Sequence, residues 1–158
     1  MNNTINILLV EDNAADVDLT REMLSATKFD IRLSVATDGV EAIDYLNGVG
    51  SWSEPGQPTL ILLDLNLPRK NGREVLAVLK GHDELRRIPV IILSSSNSKK
   101  DVTSCYNLGA NCYIVKPVEL DAYRGLVRRL EDFWLGAAEL PHREGHSMAT
   151  RIGFEQQR

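Results

Sequence analysis

Four short apolar runs punctuate the chain, and each ends on residues able to do chemistry. Ile5–Val10 leads into Glu11-Asp12, Leu60–Leu63 into Asp64, Val90–Leu93 into Ser94, and Cys112–Val115 into Lys116. The Leu60–Leu63 run shows no alternation of apolar and polar positions, the pattern of a strand covered on both faces in a parallel sheet. Ile31–Ala36 reads as one more strand. Between the runs the spacing turns helical. Asn13 is a good N-cap, followed by Ala15, Leu19, Met23 and Ala26, and Asp38 caps a helix carrying Ala42, Ile43 and Leu46. Val75, Leu76 and Leu79 mark a third helix, Lys99–Leu108 a fourth closed by Gly109, and Glu119–Trp134 the last. The glycine- and proline-rich stretch Gly48–Pro58 is a loop, with Trp52 expected to fold back over the nearest helix.

Strands alternating with helices imply βαβ units: an α/β protein with a doubly wound, five-stranded parallel sheet. With strand order 2-1-3-4-5 the winding reverses between the first and third strands, and ligands of such sheets bind at that crevice, beyond the carboxyl ends of the strands. Those two strands are the ones that end in acids.

Composition narrows the function classes. In 158 residues, 43% hydrophobic and 25% charged, there is room for one domain with a full core. Eighteen basic against 22 acidic side chains, a net charge of -4, argue against a dedicated nucleic-acid binder. No stretch has the length of a membrane span, and the first ten residues do not form a signal peptide, so a cytoplasmic protein is expected. Cys105 and Cys112 form no CxxC pair and read as small buried hydrophobes.

The strand ends supply a coherent chemistry. Converging carboxylates of Glu11, Asp12 and Asp64 repel one another unless a cation sits among them. An all-oxygen donor set suits Mg²⁺, which takes one or two carboxylates and keeps several waters. Ser94 and Lys116 add a hydroxyl and an ammonium, the groups a transferring phosphoryl needs beside a metal. Asp64 is then the phosphoacceptor nucleophile. Asp12, Asp64 and the backbone carbonyl of Asn66 are the expected Mg²⁺ ligands, with Glu11 at the water shell of the ion. Singly, each residue has a bland reading: an exposed lysine before proline, a serine-rich loop start, acids favouring a helix N-terminus. Four strand ends with fitting chemistry make the joint coincidence improbable.

These residues resemble the receiver domain of two-component response regulators. The motifs are Val10-Glu11-Asp12-Asn13, Leu63–Pro68 with Asn71-Gly72, Pro89–Ser94 and Tyr113–Pro117, and the match covers Ile5 to about Leu130. The resemblance implies a flavodoxin-like receiver fold and a signalling protein rather than a metabolic enzyme. It implies that Asp64 takes phosphate from a sensor histidine kinase, and that Tyr113 is an aromatic switch moving with Ser94. Ser96 stands where an acid or amide could orient an attacking water. A haloacid-dehalogenase-type phosphatase is the enzymatic rival, but its second acid would fall at Asn66, and an amide cannot act as general acid or base. A phosphate-independent docking module is the other alternative.

Residues 1–135 are expected to form the receiver and 136–158 a tail, disordered or dimerising, with no output domain after it. On the last helix Tyr123, Val127, Leu130 and Trp134 make the core stripe, while Leu126 and Phe133 read as a second apolar stripe, either for a partner or for the tail Gly136–Pro141 folded back over it. Asn111–Ile114, Leu130–Leu135 and Leu140-Pro141 resemble the regulators paired with bacterial and cyanobacterial phytochromes. That narrower resemblance implies a phytochrome-type kinase as partner and a homodimer formed with help from the last helix and tail, for which Leu126, Phe133 and Trp134 are the expected contacts.

Overall fold

A computed structural model describes residues 4–49 and 57–141 of the chain. Five strands, β1 (Ile5–Val10), β2 (Ile31–Ala36), β3 (Leu60–Leu63), β4 (Val90–Ser94) and β5 (Cys112–Val115), pair in parallel in the order β2-β1-β3-β4-β5. Helices α1 (Ala14–Ser25), α2 (Gly39–Asn47), α3 (Gly72–Gly81), α4 (Lys99–Asn107) and α5 (Leu120–Leu130) connect and follow them. Trp52 and residues 142–158 lie outside the described residues.

The central strands divide their side chains between two cores, because alternate residues of a strand point to opposite faces. Leu8, Val10, Ile61, Leu63 and Ile92 pack with Ala42 and Leu46 of α2, Val75, Leu76 and Leu79 of α3, and Cys105 of α4. Ile7, Leu9, Leu60, Leu62, Ile91 and Leu93 pack on the other face with Val17 and Leu24 of α1 and Tyr123 and Val127 of α5. Burial on both faces explains why these runs are apolar throughout.

Register sets the working edge. Val10 pairs with Leu63 across β1 and β3, and Ser94 with Val115 across β4 and β5. The residues just beyond, Glu11, Asp64 and Lys116, therefore emerge on one rim. At the opposite rim Asn111 Oδ1 accepts from the Val90 N–H (2.9 Å) and from Lys80 Nζ (3.1 Å), which fixes how β4 meets β5.

The N-caps Asn13 and Asp38 fall where the sequence puts them, their side chains accepting from backbone N–H groups of the first turns, and Ser98, not among the expected caps, caps α4 in the same way. A 3₁₀ turn at Leu85–Arg87, without a sequence signal, sits ahead of β4.

The last helix departs from expectation. It is α-helical only to Leu130 and continues as a π-helical turn over Glu131–Ala137, closed by the Ala138 N–H on the Phe133 carbonyl (2.7 Å). Leu126 is buried at 7% exposure beside Tyr123 and Val127, not on a free second stripe. The phase explains it: Tyr123, Leu126, Val127 and Leu130 stand at i, i+3, i+4 and i+7, one face of a helix. Phe133, seven residues after Leu126, would share that face in a continuous α-helix. The wider π turn carries it away, and it is 57% exposed. Trp134 and Leu135 pack against the α1/α5 core, and Trp134 meets Phe133 edge to face at 5.3 Å. The segment after α5 thus runs back beside Phe29 and leaves Phe133 uncovered.

Two glycines separate backbone constraint from open space. A Cβ on Gly72 would lie 2.2 Å from the Asp64 carbonyl oxygen, whereas one on Gly125, exposed in α5, meets nothing within 4 Å. Gly72→Ala is expected to lose about 1–3 kcal/mol by forcing α3 off the β3 end. Gly125→Ala should gain about 0.5–1 kcal/mol. Urea midpoints at unchanged slope check both.

Candidate functional site

The rim gathers the acids first. Glu11 follows β1 with its N–H on the Ala36 carbonyl (3.0 Å) and a buried side chain, while Asp12 beside it is exposed. Asp64 follows β3, anchored by its N–H on the Val10 carbonyl (3.0 Å), and is 7% exposed. One carboxylate oxygen from each of the three lies within 4.8 Å of the others. Asp64 Oδ1 accepts from the Leu65 N–H at 2.7 Å, an interaction that orients the carboxylate from its own chain.

Lys116, beyond β5, reaches into this cluster. Its ammonium donates to Glu11 Oε1 and to Asp16 Oδ2 (3.0 Å) and stands 3.7 Å from Asp64 Oδ2. Asp16, from the first turn of α1, is a partner to which the strand ends do not point; its local signal is an acid four residues after Asp12.

Ser94 is fully buried, its Oγ accepting from the Ser96 N–H (3.2 Å). Asn66 is exposed in the β3–α3 loop, two residues past Asp64. Tyr113 is half-buried and donates through its hydroxyl to the Ser96 carbonyl (2.8 Å). Ser96 in turn donates to Asp101 Oδ2, and Asp101 pairs with Arg73, whose Nε reaches Ser104 Oγ (3.1 Å). Tyr113, the β4–α4 turn, α4 and α3 are therefore joined by one polar chain. Arg73 and Asp101 carry no sequence signal for this, since they lie on different helices. Leu126, expected at a partner surface, belongs to the α1/α5 core; Trp134, expected both on the core stripe and at that surface, is partly buried against the same core, and of the three expected contact residues only Phe133 stands open.

Electrostatics follow from burial. Loss of water pushes the Glu11 carboxyl up to about 7, and the Asp64 charge adds to the rise, against the Lys116 and Asn13 hydrogen bonds that lower it. Burial alone would lower the Lys116 ammonium. Its hydrogen bond to Glu11 and the charges of Asp64 and Glu11, with Asp16, reverse that and raise it above the ordinary lysine value. One cation thus compensates a crowded set of acids, and an all-oxygen cluster with surplus negative charge fits a divalent ion.

The response regulator receiver domain model matches residues 7–128. The chain belongs to the response regulator receiver family. As a receiver domain it is a signalling protein of the kind that takes phosphoryl groups from histidine kinases. It is 44% identical to response regulator Rcp1 of Synechocystis sp. over 135 residues, 85% of this chain and 92% of that one. A crystal structure of the Mn²⁺-bound form of Rcp1 superposes with a TM-score of 0.84 at 43% identity, covering 87% and 99% of the two chains. The phosphorylated cyanobacterial phytochrome response regulator RcpA gives 0.85 at 44%, covering 89% and 100%. Bacteriophytochrome response regulator RtBRR is 40% identical at a TM-score of 0.68, over 98% of this receiver chain and 93% of that one. Among the described residues no helix is long and apolar enough to cross a membrane.

The Glu11 shift has a signed consequence. In metal-free buffer its carboxyl keeps its proton to about pH 7 when folded but ionises near 4.5 when unfolded. Between those values the folded state binds more protons, so this contribution to stability falls as pH rises and is level above pH 7. Glu11→Gln, which cannot ionise, is expected to flatten that part of the profile. Urea midpoints across this range in a chelator check it; an unaltered slope would assign the effect elsewhere.

Proposed function

We propose that this receiver domain accepts a phosphoryl group on Asp64 from a phosphohistidine of a sensor histidine kinase, with Mg²⁺ as the cation. The observation that carries the reading is a buried aspartate held beside two other carboxylates and one ammonium at adjoining strand ends. Asp64 Oδ1 is engaged by the Leu65 N–H, which leaves Oδ2, facing Lys116, to attack. The new bond joins Oδ2 to phosphorus; the P–N bond breaks, and its electrons return to the imidazole. Glu11, Asp12, Asp64 and the backbone carbonyl of Asn66 would hold Mg²⁺, which supplies neutralisation of charge on the phosphoryl oxygens. Lys116 balances another of those oxygens, and Ser94 is the hydroxyl donor.

Acyl phosphate adds about 1.5 to 2 negative charges at one point, and it shifts an equilibrium only as far as it favours one packing over another. Ser94 is two residues from the carbonyl that holds Tyr113. Movement of Ser94 toward the phosphoryl group would shift the β4–α4 turn and loosen or re-aim the tyrosine. The similarity to Rcp1, RcpA and RtBRR supports a phytochrome-type kinase as the donor.

Acetyl phosphate with Mg²⁺ is expected to add the mass of one phosphoryl group to the chain and none to Asp64→Asn. No adduct on either would leave a phosphate-independent docking module as the better reading.

A homodimer built around the π turn belongs to the same proposal. Phe133 is its exposed anchor, braced edge to face by Trp134. Truncating a large aromatic at an interface commonly costs about 1–2 kcal/mol or more of binding. Phe133→Ala should therefore weaken self-association at least about fivefold in sedimentation while phosphorylation persists; an unaltered dimer, or a monomeric wild type, removes this part.

A further inference from the structure

The N-terminus of α1 departs from the pattern set by α3 in the same molecule. In α3 the N-cap Asn71 and the N3 acid Glu74 close a reciprocal box: Glu74 N–H donates to Asn71 Oδ1 (3.0 Å), and Asn71 N–H to Glu74 Oε1 (3.4 Å). In α1 the first half is present, with Asp16 N–H on Asn13 Oδ1 (3.1 Å). The second half is missing, because the Asn13 N–H donates to Glu11 Oε2 (3.1 Å) instead. The Asp16 carboxylate is thereby released from capping and lies 3.0 Å from Lys116 Nζ, a hundred residues on.

That placement is held rigidly. One turn along the same face of α1, Thr20 is buried and shares a 3.0 Å hydrogen bond with the Tyr123 hydroxyl of α5. Val17 and Leu24 add apolar contacts to the same seam.

We propose that Asp16 is a positioning residue for Lys116, sharing the ammonium with Glu11 and holding it beside Asp64, so that the ammonium is not drawn wholly onto the carboxylates that a divalent cation would use. A lysine ammonium has three donors on a flexible four-carbon stem. Glu11 and Asp16 take two of them, and the third is available toward Asp64 Oδ2. Without Asp16, the acids that still pair with the ammonium among the described residues are Glu11 and Asp64, two members of the cluster that a cation needs. The ammonium would then lean more fully on these two and compete with the ion, and its direction toward Asp64 would be less defined. This inference rests on the reading of Asp64 as phosphoacceptor.

The test uses the full ¹⁵N-labelled chain as wild type, Asp16→Asn, Asp16→Glu and, as a control for net charge, Asp18→Asn, which removes an exposed acid of the same helix. The Lys116 ammonium resonance and Mg²⁺ affinity are read by NMR titration, and adduct formation with acetyl phosphate at saturating Mg²⁺ by mass spectrometry. Asp16→Asn should shift or broaden the ammonium signal and weaken Mg²⁺ by about threefold, the size of a partly exposed ion-pair effect. It should slow adduct formation by a similar factor. Asp16→Glu should recover most of the loss, and Asp18→Asn should match wild type. An Asp16→Asn variant with the wild-type ammonium signal and Mg²⁺ affinity overturns the proposal, as does an Asp18→Asn effect of equal size. If wild type itself takes up no phosphoryl group, the phosphoacceptor reading fails, while the ammonium signal and Mg²⁺ affinity still decide the role of Asp16.

Discussion

The buried ammonium of Lys116 is the interaction on which the rest of this rim depends. Carboxylates taken out of water repel one another, and each alone would give up its charge by binding a proton. Lys116, about a tenth exposed, lies against Glu11, Asp16 and Asp64 together and makes that concentration of acids tolerable. Because one cation serves three anions, the cluster remains electron-rich. A second positive charge is therefore accommodated readily. The one ammonium is fixed in place by its partners and needs little rearrangement to meet a further charge at the rim.

The sheet delivers these groups without loops of its own making. Parallel strands in register end at one level, so residues one step past β1, β3 and β5 become neighbours although they are more than fifty residues apart in sequence. Burial on both faces keeps the strands fixed, and the close approach of Gly72 to the Asp64 carbonyl sets the first turn of α3 against the β3 end. The acidic rim is therefore an edge property of a rigid core. The groups linked to it, from Ser96 and Tyr113 through Asp101 to Arg73, are polar and half-buried, so they can exchange partners at lower cost than the core can deform.

Local pattern alone determined much of this protein. The apolar runs named four strands and the mixed stretch Ile31–Ala36 the fifth, Asn13 and Asp38 named two helix starts, and the polar residues that close the runs named Glu11, Asp12, Asp64, Ser94 and Lys116. Each of those signals is short-range: periodicity, a cap, or a residue at the end of a run. Only the tertiary structure decided the rest. Leu126 is core because its helical phase matches Tyr123 and Val127 and because α1 and the sheet cover that face. Phe133 is exposed because a π turn begins at Glu131, a change of winding that no residue there announces. Asp16 meets Lys116, and Arg73 meets Asp101, across distances in sequence that no window spans. Which acid a lysine chooses is settled by where two helices are packed, and that packing is a property of the whole chain.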